Sequence, residues 1–218
     1  MHKSISNLIQ IKKEINSNNT DFNSKLRIIA VSKTFSIESI SPLIEFGHQD
    51  FGENKVQEAL EKWGEIKQNK KNVKLHMIGK LQTNKVKQAV KIFDYIHSLD
   101  SLKLAKKISE EQEKIKRNLN LFIQINVGDE DQKSGINVKD LPNFYKVCVN
   151  DLKLKIIGLM CLPPINCDPT PFFEKMSKLS KDLSLKELSM GMSSDYLTAI
   201  KFNSTFVRIG SRIFGDRN

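Results

Sequence analysis

The stretch "KLRIIAVSKTF", Lys25 to Phe35, contains an unbroken apolar run, Ile28-Ile29-Ala30-Val31, followed at once by a lysine and a threonine. A short β-branched run without polar alternation reads as a strand buried on both faces. Strands of that kind belong to parallel sheets covered by helices. The lysine, Lys33, stands at the tip of the strand. It is either a snorkelling side chain or a working amine, and the rest of the chain has to decide.

Seven more runs of the same character follow, at 49–54, 73–79, 94–100, 120–127, 154–163, 187–192 and 205–210. With 26–33 they make eight strands. Segments of helical period lie between them, at 36–47, 55–67, 83–93, 101–117, 140–149, 170–183 and 195–202. Strand–helix alternation at this spacing implies a parallel α/β sheet. Eight units predict a closed, single (β/α)8 TIM-type barrel over residues 1–218. The last unit is short, because "SRIFGDRN" after strand eight has room for a turn and no full helix. The amphipathic pattern of residues 3–18 predicts an extra N-terminal helix that covers this gap. No repeat, low-complexity tract or Pro/Gly linker divides the chain.

The 218 residues, 39% hydrophobic and 28% charged, suit one soluble globular domain. No apolar run is long enough to span a bilayer. The N-terminus, "MHKSISNLIQIKKEI", lacks the apolar core and cleavage site of a secretory signal. A cytoplasmic location is therefore expected. Cys148, Cys161 and Cys167 form no CxxC pair and read as reduced thiols. His2, His48, His76 and His97 show no ligand spacing, so no metal is expected. The net charge of +10 permits an anionic partner. However, 30 of the 35 basic residues are lysines spread along the chain, whereas arginine is the residue that reads phosphate and guanine with two bonds. A solvated basic surface is expected rather than a nucleic-acid site.

Barrel chemistry sits at the C-terminal ends of the strands, where Lys33 falls. Partial burial there would disfavour its charged form, and a neutral amine condenses with an aldehyde to an imine. At the other end of the chain, "SMGMSSDYLTAI" places Ser193 and Ser194 after strand seven, where either also reads as a helix N-cap. "VRIGSRIFG" places Arg208, Gly210 and Ser211 at the tip of strand eight. Gly210 lets the backbone approach an anion, and barrels often build phosphate sites from the loops after strands seven and eight. An amine facing such a cradle suits a phosphorylated aldehyde, either pyridoxal phosphate (PLP) or a sugar phosphate. Arg208 only donates. Facing a pyridine nitrogen, it would keep that nitrogen unprotonated and the ring a poor electron sink, which disfavours aminotransfer.

"AVSKT" (30–34), "FGENKVQEALEK" (51–62), "LHMIGKLQTNK" (75–85), "INVGDEDQKSGI" (125–136), "GLMCLPP" (158–164), "LSMGMSSD" (188–195) and "VRIGSRIFG" (207–215) together resemble the YggS/PROSC family of pyridoxal phosphate homeostasis proteins. The resemblance runs in order over nearly the whole chain. It implies a barrel like the N-terminal domain of alanine racemase that binds pyridoxal 5′-phosphate and carries, buffers and delivers it in the cytoplasm without an established reaction. By position, it makes Lys33 the Schiff-base lysine. Ser193, Gly210 and Ser211 become phosphate contacts, Arg208 the partner of the ring nitrogen, and Asn54 a ring-facing residue on the rim of strand two. His76 and Met160 lie in motifs at the barrel mouth or interior, where core packing is the competing role. Lys133, in "QKSG", matches a family lysine and is either a second, transient cofactor contact or a solvated loop residue. Leu75, Lys80 and Ser194 depart from the family pattern without removing a proposed contact.

The expected partners are PLP and PLP-requiring apoenzymes. A membrane or nucleic-acid partner is not expected, and the chain is expected to be a monomer. The main alternative is a PLP-dependent amino-acid racemase. That reaction needs a second base, which alanine racemase-like enzymes take from a C-terminal β-domain of a partner chain, whereas this sequence stops just after strand eight. Tyr95, Tyr145 and Tyr196 fall on or near other elements. A class I aldolase-like use of Lys33 would need a nearby carboxylate, for which Glu53 is the candidate.

Overall fold

In the computed structural model, which describes residues 1–18, 26–129 and 134–215, eight parallel strands close into a barrel. They are β1 (Arg27–Val31), β2 (Asp50–Glu53), β3 (Lys74–Met77), β4 (Tyr95–Leu99), β5 (Asn120–Ile125), β6 (Ile156–Cys161), β7 (Glu187–Met192) and β8 (Phe206–Ile209). Each pairs with the next, and β8 pairs back to β1. Every strand expected from the sequence is present, trimmed by one to two residues at most ends. The helices are α1 (Lys3–Asn18), α2 (Ile37–Glu45), α3 (Val56–Asn69), α4 (Val86–Ile92), α5 (Leu102–Lys114), α6 (Leu141–Lys146), α7 (Thr170–Asp182), α8 (Tyr196–Lys201) and α9 (Ser211–Phe214). No helix among the described residues is long and apolar enough to cross a membrane.

Period-two alternation sorts the strand side chains into two layers. Ile28, Ala30, Phe51, Leu75 and Met77 face outward and are buried under the helices, with Trp63 of α3 among their partners. Ile29, Phe122, Met160 and Phe206 face inward and form a separate inner cluster. The barrel is a packed core rather than a pore. Its interior is rich in rings. His97 stacks on Phe122 and His76 on Tyr95, each at 4.3 Å between centroids.

The chain leaves β8 through the single turn of α9. α1 packs against both α9 and α2 and fills the place in the outer ring that a full eighth helix would take. It buries Leu8, Ile11 and Ile15, and Asn7 Nδ2 donates to the Ile213 carbonyl at 2.9 Å. One local reading is corrected. Asp195, not Ser193 or Ser194, occupies the N-cap of α8. Its carboxylate accepts the Met192 N–H at 2.5 Å, which leaves both serines to face the barrel mouth.

Candidate functional site

The tips of β1, β2, β3, β6, β7 and β8 surround a pocket of about 610 Å³, a size ordinary for a small-molecule or cofactor site. Lys33, Asn54, Ser193, Arg208, Gly210 and Ser211 all line it. Barrel closure brings them together from opposite ends of the sequence. The β1–β8 ladder sets Ile29 beside Arg208 and Ala30 beside Ile209, so the Lys33 turn and the Gly210–Ser211 turn emerge side by side.

Lys33 is half-buried, two residues beyond the end of β1. The backbone around it is pinned from behind. Ser32 N donates to Gly52 O at 3.0 Å, and Ser32 Oγ donates to Glu53 Oε1 at 2.7 Å. Thr34 takes a left-handed backbone (φ 68°), and its N–H donates to Glu58 Oε1 at 2.6 Å. Lys62 Nζ donates to Ser32 O, Glu53 and Glu58 at 2.9, 3.0 and 3.0 Å. Ser32 and Glu53 point out of the barrel toward α3, so alternation turns Lys33 and Asn54 inward to the pocket.

Glu53 therefore cannot serve as the acid or base that an aldolase reading would require. It is fully buried behind the sheet, accepting from Trp63 Nε1 at 2.9 Å, from Ser32 and from Lys62. Burial raises its pKa against those donors. Asn54 is fixed by a different device. A Cβ at Gly79 would lie 2.5 Å from Asn54 O and 2.8 Å from Asn54 Cα. Only glycine lets the loop after β3 close on the rim of β2 at this point.

On the opposite wall, Gly191 (φ +92°) turns β7 toward the mouth, at a position where a Cβ would also strike Ala199. Ser193 follows, and its hydroxyl accepts the Gly210 N–H at 3.3 Å. Ser193, Ser194, Gly210 and Ser211 form one polar wall of the pocket. Arg208 is 4% exposed and forms the floor. Its Nη1 donates to Ser189 O at 2.7 Å and to Ser189 Oγ at 2.6 Å, and its Nη2 donates to Cys161 O at 2.8 Å. Burial pushes its pKa down. No carboxylate among the described residues pairs with it directly. Val31, Ile78, Leu162 and Met192 supply apolar walls.

His76 and Met160 are buried inside the barrel beneath this pocket and do not line it. Lys133 lies outside the described residues. Ser189 escaped the sequence reading. Ser189 lies within the motif "LSMGMSSD", but β7 pairs irregularly with β8 between Ser189 and Met192, and only the fold shows that Arg208 reaches it.

The donor set fits a phosphorylated pyridine aldehyde: an amine for the carbonyl, hydroxyl and backbone donors for a dianion, and a fixed guanidinium for a ring acceptor. The comparisons with known proteins agree. The family model described as "Alanine racemase, N-terminal domain" matches residues 7–218. A pyridoxal phosphate homeostasis protein of Pasteurella multocida is 38% identical over 205 residues, covering 89% of this chain and 88% of the relative. PipY of Synechococcus elongatus, solved without and with PLP bound, is 31% identical with TM-scores of 0.85 and 0.81, covering 94% of this chain and all of PipY. An alanine racemase of Clostridium difficile shares the fold at 14% identity and a TM-score of 0.74, over 99% of this chain and 57% of the racemase. The chain thus belongs to the alanine racemase N-terminal domain family and, within it, to the family of the pyridoxal phosphate homeostasis proteins.

Proposed function

We propose that this protein is a non-catalytic carrier of pyridoxal 5′-phosphate, holding it as a reversible Schiff base on Lys33 and releasing it to PLP-requiring apoenzymes in the cytoplasm. The observation that carries the reading is the convergence of Lys33, Arg208 and the Ser193–Gly210–Ser211 wall on one pocket. The names of the relatives and the PLP-bound PipY structure support the ligand. Bound PLP supplies an aldehyde, and among the described residues Lys33 supplies the only amine that lines the pocket. Ser193, Gly210 and Ser211 take the phosphate, Arg208 faces the ring nitrogen, and Asn54 faces the ring.

The racemase reading draws on the fold shared with alanine racemase. It needs a second base opposite Lys33. Among the described residues, Lys33 and Arg208 are the charged side chains that line the pocket, and no tyrosine lines it. Tyr95 points into the barrel and accepts from Arg27, and the Tyr196 hydroxyl is committed to Glu14. An arginine remains protonated and is a poor base. The arrangement supports holding and release rather than proton transfer on both faces of a substrate.

The test is incubation with PLP, reduction with borohydride and peptide mass spectrometry. A pyridoxyl phosphate adduct on Lys33, with a visible absorbance band that Lys33→Ala abolishes, is the expected result. An adduct confined to other lysines, or a band that persists in Lys33→Ala, overturns the reading. Interconversion of D- and L-amino acids that disappears in Lys33→Ala would establish the racemase instead.

A further inference from the structure

The interior of the barrel holds a chain of polar groups that the proposed function does not use. Arg27 Nη2 and Nε donate to the two oxygens of Asp50 at 2.5 and 3.2 Å. Asp50 Oδ1 meets His76 Nε2 at 2.8 Å. His76 Nδ1 meets His97 Nε2 at 3.0 Å, and His97 Nδ1 meets Ser189 Oγ at 2.8 Å. Ser189 Oγ in turn accepts from Arg208 at 2.6 Å. His76, His97 and Ser189 are wholly buried. The chain begins at the first residues of β1 and β2 and ends at the pocket floor.

The proton positions along it follow from the two ends. Asp50 is held below the usual carboxylate range: burial alone would raise it, but the bonds from His76 and Arg27 outweigh that. It is therefore an acceptor only, and His76 Nε2 must carry the hydrogen. Two imidazole nitrogens 3.0 Å apart share one proton, and burial keeps both rings neutral. His76 Nδ1 is then bare and accepts from His97 Nε2–H. His97 Nδ1 is bare and accepts the Ser189 hydroxyl proton. Ser189 Oγ is left with its lone pairs toward Arg208. Every bond points the same way, from Arg208 to Asp50, and aligned chains of this kind strengthen one another. Among the described residues the buried guanidinium has no direct carboxylate partner, which is costly, and this chain links it by hydrogen bonds to the carboxylate of Asp50.

We propose that Ser189, His97 and His76 are positioning residues for Arg208, with Asp50 as the anionic anchor of the chain that holds the guanidinium at the pocket floor. The proposal deepens the carrier reading by naming what fixes the proposed partner of the ring nitrogen. Its first test needs no PLP. The chain contains five arginines, so the apoprotein labelled with 15N-arginine gives a sparse side-chain spectrum, and the Arg208 Nε–H signal is assigned by its loss in Arg208→Lys. Its hydrogen exchange should be about tenfold faster in Ser189→Ala, in His97→Phe and in Asp50→Asn, the scale of losing one charge-assisted hydrogen bond.

His97→Phe keeps a ring stacked on Phe122, and Ser189→Ala is the mildest change should a ring variant fail to fold. Wild-type exchange in folded Ser189→Ala overturns the proposal. Acceleration there with wild-type exchange in Asp50→Asn overturns the role of the carboxylate. Loaded with PLP, Ser189→Ala and His97→Phe should shift the visible band to the same new wavelength, and the double variant should shift it no further; unequal and additive shifts would mean separate sites rather than one chain. If the wild type takes up no PLP, the carrier reading fails while the exchange result stands by itself.

Discussion

Lys62 sends its ammonium behind the tip of β1, where one nitrogen bonds Ser32 O, Glu53 and Glu58. These residues never enter the pocket, yet they determine where Lys33 points. Glu53 is the centre of the group, and removing it would leave the buried Trp63 N–H without its acceptor and take from the Lys62 ammonium one of its two carboxylates. Glu53→Ala should lower stability by about 3–5 kcal/mol, the scale of breaking one side of a buried ion pair, as read from the urea midpoint. A loss under about 1 kcal/mol would show that the network relaxes into solvent. Glu58 is milder and more specific. It sits below the usual carboxylate range, because the Thr34 N–H and Lys62 outweigh its partial burial. Glu58→Ala frees the Thr34 amide to water and should slow or weaken PLP uptake at Lys33 with little change in the urea midpoint, checked by the visible band at limiting PLP.

Among the elements, α1 carries a load that its place in the sequence does not advertise. It precedes the first strand and contributes nothing to the pocket, but it completes the outer helical ring where α9 is one turn long. Ile11 is 1% exposed at the centre of its buried face. Ile11→Ala should cost about 2–5 kcal/mol with no change in the visible band of the loaded protein, and a cost below about 1 kcal/mol would mean that α1 rests loosely on the barrel. Arg212 and Tyr196 both bond Glu14 of α1, which ties that helix to the elements that follow β7 and β8. The pocket wall formed by Ser193, Gly210 and Ser211 is thus braced from outside the barrel.

For the whole molecule, the buried histidines set the response to acid. Burial lowers the pKa of His76 and lowers that of His97 further. His48, half-buried with its Nε2 on the Asp50 carbonyl, is lowered to about 4 by the same cause. In the unfolded chain all three titrate near 6.5. Below that pH the unfolded chain binds protons that the folded protein refuses, so the stability they confer is complete above 6.5 and is lost as pH falls. Two fully buried rings give a slope of up to about 2.7 kcal/mol per pH unit, or a fall in Tm on the order of 5–10 °C per unit at this size. Glu53, raised by burial, works in the opposite sense and offsets part of it. Melting curves by circular dichroism from pH 7.5 to 4.5 check this, and a flat Tm down to pH 5 would contradict it.

The sequence by itself determined the eight strands, the helices between them, the short final unit and its cover by residues 3–18. Each of these rests on local periodicity, which survives in one dimension. It also marked Lys33, Ser193, Arg208, Gly210 and Ser211, because residues at strand tips share one rim once the sheet is known to close, whereas Asn54 was marked by the family resemblance. Tertiary structure alone decided what lies behind and beneath that rim. Whether Glu53 faces the pocket or α3, and whether His76 touches a ligand or a second histidine, depends on strand register and on side chains from distant strands meeting inside the barrel. Neither leaves a periodic trace in the chain, since a hydrogen bond between Ser189 and Arg208, or between His76 and His97, is a fact of closure and not of spacing.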